Sequence, residues 1–417
     1  MPSGRLVHVV GTLGGSVLIA AGAMAGAPPV AAAGSTLYVS ASATAGAADT
    51  SCATAAYSTI NAAVGAASAG DTVVVCAGTY TEDVAVGKAL TLSGQGATID
   101  ASGLDNGIKI TASNVTVMGF TVENATGEGI LAQQPNPVKG PMVQGQQLYT
   151  GAPITHVVIK HNVVESNDQG GLPANAGTTT YQECKASGPI PGDCGEGIHL
   201  WSVAYSQVIL NTVTGNAGGI LLTDEFGPTH NNLVAGNVVT DNAYDCGITL
   251  PSHNLGRDPQ TGKLMPAFGG VYANVVRNNV VLDNGLKGEG AGILIAAPAP
   301  GTASYANVIE GNAIWGNGLS GVTIHSHAPG AWVGDNVIRD NMIGTNNLGG
   351  DPDVTPTKDM ATTGILVWSA ATPTPVTISG NTIYGNWYGI WMNSTVHAPG
   401  ARARNSFWSV STYVRVA

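Results

Sequence analysis

Seven pairs of asparagines, each pair five residues apart, dominate this chain: Asn162 and Asn167, Asn211 and Asn216, Asn237 and Asn242, Asn279 and Asn284, Asn312 and Asn317, Asn341 and Asn346, Asn381 and Asn386. Each pair belongs to a unit that opens on an aliphatic pair and leads to Gly-Ile-x-Leu or a close variant, and Gly119 and Asn124 take the two places in an earlier copy. The closing glycine recurs at Gly107, Gly129, Gly197, Gly219, Gly247, Gly292, Gly321, Gly364 and Gly389. A unit of three short strands, each alternating apolar and polar, cannot bury a face alone and has to stack on the next unit. Asn tolerates the left-handed backbone region and can bond its side-chain amide to the rung above, so a column of Asn makes a ladder inside a sharp bend.

Successive units lie 49, 26, 42, 33, 29 and 40 residues apart. The shortest is too small for a propeller blade of about 40 to 45 residues, and the uneven intervals describe a short coil with loops inserted at its turns. Val and Ile stand where a leucine-rich repeat would need Leu. Composition agrees with an all-β chain: only 10% of 417 residues are charged, and the 58 glycines have no three-residue period, which excludes coiled coils, helical bundles and collagen. The net charge of −11, with Lys and Arg apart from Arg5 scattered from Lys88 to Arg415, excludes a nucleic-acid groove.

Residues 1–33 carry Arg5 and His8, an uncharged run from Val9 to Ala27, and Ala31-Ala32-Ala33, the layout of a secretory signal peptide. The mature chain, residues 34–417, is then expected to be secreted and extracellular, with no membrane span and as a monomer. Cysteines fit that compartment: Cys52 and Cys76 bracket a helix-like stretch, Cys184 and Cys194 bracket a Pro/Gly loop, and two disulfides are expected, leaving Cys246 as a packing residue.

From Thr59 to Ser394 the chain resembles the right-handed parallel β-helix repeat proteins of the pectate-lyase-like superfamily. The entry resembles them too, with Tyr57 to Val64 reading as a short amphipathic helix before Gly70-Asp71-Thr72-Val73-Val74-Val75-Cys76. The resemblance implies an all-β fold: a single-stranded right-handed parallel β-helix, a three-sheet solenoid with a short N-terminal capping helix. The cap is expected at about 52–70, the coils at about 72–394 and a C-terminal cap at 395–417. It also implies that the Gly-Ile-x-Leu strand builds the first sheet and that substrates, polysaccharides or cell-surface glycans, lie along its outer face. Long insertions flank that strand on both sides, Gln133 to Pro153, Pro251 to Tyr272 and Ala296 to Tyr305 after it, Asp168 to Gly195 and Asn347 to Thr362 before it. Loops on both flanks of one sheet wall a cleft.

Alternation gives the outward residues of that strand as Lys109, Leu131, His199, Leu221, Thr249, Leu294, Thr323, Leu366 and Trp391. Just before the motif, Glu196 and Asp245 fall two rungs apart across Ala217-Gly218, about 10 Å in a regular stack, with His199 and Thr249 nearby. Such a carboxylate pair suits the general acid and base of glycoside hydrolysis. Beyond the strand, Asp224 and Glu225 form a second candidate with His253, which the register sets beside Glu225; they suit acid/base work or calcium ligation. His230, His325 and His327 could join either site. Trp201, Thr249 and Trp368 are the expected substrate contacts, Trp rings offering faces for sugar C–H groups. No cofactor is required on this reading, and calcium is the one metal considered. Signatures of the galacturonan hydrolases and uronan epimerases of this fold do not occur, so the expectation is a secreted carbohydrate-active protein, a hydrolase or lyase. The alternative is a non-catalytic glycan-binding or rigid surface module.

Overall fold

The computed structural model describes residues 34–417 apart from 45, 144–145, 168–195, 289 and 352–360. The expected signal peptide, the Cys184–Cys194 pair and most of the two loops that precede the site strand lie outside the described residues.

The stacked coil is formed as expected. One rung runs through Ile198–Trp201, Val203–Ala204, Gln207–Ile209 and Thr212–Thr214. The next runs through Ile220–Thr223, Thr229–His230, Leu233–Ala235 and Val238–Thr240. Equivalent strands pair in parallel and in register. Three faces therefore wind as anticipated, and a two-residue strand is added at one corner of five rungs, too short to leave a period in the sequence. Inward positions carry Ile198, Leu200, Val208 and Val213 and their equivalents, all fully buried in one continuous core. A fully buried Val or Ile contributes about 1.5–3 kcal/mol, which explains why β-branched residues fill the stacks.

Asparagine ladders run through the bends, with one difference from expectation. The left-handed residue is the one before each Asn of the first ladder: His161, Leu210, Asn278 and Asp340, or Gly236, Gly311 and Gly380. The ladder Asn is freed to bond along the stack. Asn237 donates its backbone N–H and its Nδ2–H to Asn279 Oδ1 at 2.9 and 3.0 Å, and a second Nδ2–H to the Val208 carbonyl. Gly119 and Asn124 are left-handed themselves, so Phe120 and Ala125 take the ladder places in that early copy. A third ladder, Ser206, Asn232, Asn274, Asn307 and Asn336, lines the corner beside the added strand.

The closing glycine is explained by contact. A Cβ on Gly247 would meet Val281 Cγ1 at 2.5 Å, Gly292 O at 2.8 Å and the ladder amide Asn284 Nδ2 at 2.9 Å. The start of the site strand packs straight onto the ladder, and only a hydrogen fits.

The helix Ile60–Ala66 closes the N-terminal end. The Thr59 hydroxyl accepts the Ala62 N–H, and the Glu82 carboxylate accepts the N–H groups of Ile60 and Asn61, satisfying donors that a helix start leaves open. Ile60, Ala63 and Val64 face the core. The Cys52–Cys76 disulfide forms, and Cys246 is a buried free thiol. At the other end, where a cap was expected, Val396–His397, Ser406–Trp408 and Thr412–Val416 add a further rung in parallel with its predecessor.

Candidate functional site

The expected first sheet is an eleven-stranded parallel sheet running from Val84–Val86 to Thr412–Val416. Its inner side belongs to the core. On its outer side, residues from successive rungs line up in columns about 4.8 Å apart.

The column just before the closing glycines holds Glu128, Glu196, Gly218 and Cys246, as the backbone bonds from Gly129, Gly197 and Gly219 to the carbonyls of Glu196, Gly218 and Cys246 show. Cys246, not Asp245, is thus in line with Glu196. Asp245 sits one place earlier and accepts the Cys246 N–H at 2.6 Å, a turn contact. Burial, with the Asp245 charge beside it, pushes the Cys246 thiol well up. The Glu196 carboxylate lies directly over Gly218, where any Cβ would collide with it. Its partner on the adjacent rung is Glu128, whose Oε2 accepts the Glu196 N–H at 2.6 Å.

The next outward column was expected to be open. His199, Leu131, Thr249, Thr323, Leu366 and Trp391 are instead buried. Over His199 the cover is aromatic: His199 stacks on Trp201, Trp201 on Phe226, and Tyr149 meets Phe226 edge-on. Tyr149 ends an antiparallel hairpin, Lys139–Val143 with Gln146–Tyr149, within the insertion after the preceding site strand. Trp201 is therefore a covering residue. Beneath it His199 Nδ1 bonds Glu128 Oε1 and His199 Nε2 bonds Thr223 Oγ1, both at 2.8 Å. Glu128 and Thr223 escaped the sequence reading, although the residue before Gly129 was the place to look for a mate to Glu196.

At the edge of the sheet the sequence reading placed Glu225 beside His253, and the two meet there: Glu225 Oε1 and His253 Nδ1 are 2.6 Å apart. Their side chains are 29% and 38% exposed, in contrast to the buried set behind them. Asp224, buried, accepts Ser252 Oγ–H and the backbone N–H groups of His253, Asn254 and Gly270. Burial and the neighbouring Glu225 push the Asp224 carboxyl up to about 6, against the pull of those donors. For Glu225, burial works upward too, and is outweighed by His253, through charge and hydrogen bond, and then by His199 and Thr223, so that its carboxyl falls to about 2.

Of the two carboxylates considered for calcium, Asp224 is engaged elsewhere. Asp224 spends its acceptors on four donors, and among the described residues no three His, Cys, Asp or Glu are grouped to hold a metal. On the rungs that follow, Ala296 and then His325 stand in the column of Thr223 and Pro251, with Trp368 next. His325 and His327 lie with ring centres 4.9 Å apart, and His327 meets Trp368 edge-on. Trp368 is half-buried and stacks on Trp391. His230 is elsewhere, stacked on Tyr272 at the corner strand.

No curated protein matches the chain in sequence. Among solved structures it is similar to the A-module of mannuronan C-5 epimerase AlgE4 of Azotobacter vinelandii, with 16% identity over 86% of this chain and 94% of that one and a TM-score of 0.48. It is also similar to an alginate lyase from Paenibacillus sp., at 11% identity over 91% and 99% of the two chains and a TM-score of 0.42. A third is the pectate lyase Pel9A, at 14% identity over 88% and 79% and a TM-score of 0.45. The family described as the right-handed beta helix region matches residues 150–304 and 301–406. With the parallel rungs, the ladders and that match in hand, the chain belongs to the right-handed β-helix family.

Proposed function

We propose that this is a secreted protein that cleaves an extracellular polysaccharide along the outer face of the eleven-stranded sheet, with His253 as the proton-transfer group. The observation that carries the reading is the half-exposed Glu225–His253 pair on adjacent rungs. Glu225, its carboxyl at about 2, accepts the Nδ1–H and fixes the ring, which makes Nε2 the nitrogen assigned here to exchange a proton with substrate. Asp224 holds the His253 backbone and so positions the pair. A carboxyl at about 2 makes Glu225 too acidic to serve as a proton donor, and the two-carboxylate scheme built on Glu196 and Asp245 is not favoured because Asp245 sits out of line with Glu196 and bonds its own turn. Ala296 on the rung after His253, with His325, His327 and Trp368 beyond, leaves room for sugar units about 5 Å long per rung. The Cys52–Cys76 disulfide fits an oxidising compartment, and among the described residues no helix is long and apolar enough to cross a membrane. Burial of much of the outward column favours a second reading, a glycan-binding module without chemistry.

The test is a screen of neutral and acidic polysaccharides, with and without Ca²⁺, for released reducing ends and for unsaturated-product absorbance. Cleavage that His253→Ala lowers about 100-fold or more and Glu225→Gln lowers strongly supports the reading. Cleavage untouched by His253→Ala overturns it, and retention of a glycan with no cleavage selects the binding module.

A further inference from the structure

Behind the exposed pair lies a buried polar chain that has no packing reason to exist. Glu128, His199 and Thr223 come from three consecutive rungs of the site sheet, and all are shut off from solvent. Glu128 Oε2 accepts the Glu196 N–H, and Glu128 Oε1 lies 2.8 Å from His199 Nδ1. A buried anion needs a counter-charge, and among the described residues the ion pair of Glu128 is with His199. Glu225 Oε2, at the far end, is buried and has no hydrogen bond in the geometry, while Thr223 acts on that carboxylate from close by.

With Glu128 ionised, only one arrangement of protons serves all of these acceptors. His199 carries a proton on each nitrogen, giving Nδ1–H to Glu128 and Nε2–H to Thr223 Oγ1, which frees the Thr223 hydroxyl proton to turn toward Glu225 Oε2. A neutral His199 would take the Thr223 proton, leaving Glu128 without a counter-charge and Glu225 Oε2 without a donor. We propose that His199 is a buried imidazolium and that Glu128, His199 and Thr223 form a charge relay that sets how tightly the Glu225–His253 pair holds its proton. The groups seen to face His199 among the described residues include Glu128, Thr223 and Trp201, with Glu196 bonded to Glu128 and Glu225 beyond Thr223. The relay residues are positioning residues, and the proposal rests on the reading that His253 is the reactive group.

The test is nitrogen-15 NMR of the histidine rings in the full chain, without substrate. His199 is expected to show two protonated ring nitrogens from about pH 5 to about pH 8, and Glu128→Gln to convert it to a neutral ring within that range. Thr223→Val removes a donor that competes with His253 for Glu225, so the His253 midpoint is expected to rise by about half a pH unit or more, and Thr223→Ser to restore it. A neutral His199 in the wild-type protein at pH 6 overturns the proposal with no variant needed. So does a His253 midpoint that neither Glu128→Gln nor Thr223→Val moves. Because no glycan enters the measurement, a polysaccharide screen that fails would sink the proposed function and leave the relay standing.

Discussion

Asp224 and Glu225 are adjacent in sequence, yet their surroundings drive their carboxyls apart, to about 6 and about 2. The signs of their contributions to stability are therefore opposite. The folded Asp224 value lies above the unfolded one of about 4, so folding takes up a proton between the two, and the Asp224 contribution improves as pH falls from about 6 to about 4. Glu225 lies below its unfolded value, so its contribution is whole above that value and is lost as pH falls toward about 2. Wild-type stability is expected to gain roughly 2–3 kcal/mol from Asp224 on acidification over that interval. Asp224→Asn, which cannot take up the proton and turns an amide against the N–H groups of His253, Asn254 and Gly270, should lack this gain. It should also be about 2–4 kcal/mol less stable at pH 7. Urea midpoints from pH 7 to pH 4.5 check it; parallel slopes for the two proteins would refute the assignment. Register alone made the Glu225–His253 pair legible in the sequence. It could not show that Asp224 is a clamp, because the donors from Asn254 and Gly270 come from a loop whose path has no period.

At the scale of strands and bends, the ladder turns one residue choice into a stack of interlocked hydrogen bonds. Asn279→Ala would leave the Asn237 N–H and Nδ2–H without their acceptor and remove one donor from Asn312 Oδ1 and another from the Val234 carbonyl. The expected cost is about 2–4 kcal/mol, from several buried groups losing partners at once. Leu210, one place before a ladder Asn, is left-handed at φ 56° and 53% exposed where other rungs carry Gly. Leu210→Gly should therefore be neutral to stabilising, by up to ~1 kcal/mol, as strain is traded against chain entropy. Chemical denaturation of both variants is the check: a clear loss for Asn279→Ala and none for Leu210→Gly is the expected result. The five-residue Asn spacing made two ladders legible in the sequence. The third kept the same spacing and was passed over: Asn232, Asn274, Asn307 and Asn336 each stand five residues before an Asn of the first ladder, and Ser206 stands five before Asn211. The cover over His199 was illegible for another reason: Tyr149 lies in an insertion and Phe226 in the turn after Ile220–Thr223, and only folding brings them over Trp201.

Across the whole molecule, the described strands of each rung pair with those of neighbouring rungs, so damage at one end has no direct route through the sheets to the middle. The N-terminal end is held by three devices in a short stretch: the helix Ile60–Ala66 over the open core, Glu82 bonded to the start of that helix, and the Cys52–Cys76 disulfide. The cap was readable from Tyr57 to Val64 because an amphipathic pattern before a first strand has few other uses. The disulfide closes a loop with a sequence separation of 24, for which removal costs about 3 kcal/mol. In a compact domain that loss would weaken every element alike, whereas in a stack of rungs it should stay at its own end. Hydrogen exchange of the double variant Cys52→Ser, Cys76→Ser is expected to show faster exchange in Thr36–Val39, Ile60–Ala66 and Thr72–Val75. The rungs from Ile198–Trp201 onward, carried by their ladders, should keep wild-type protection. Equal loss of protection from the first rung to the last would mean that the coil unfolds as one unit and that its ladders do not insulate one end from the other.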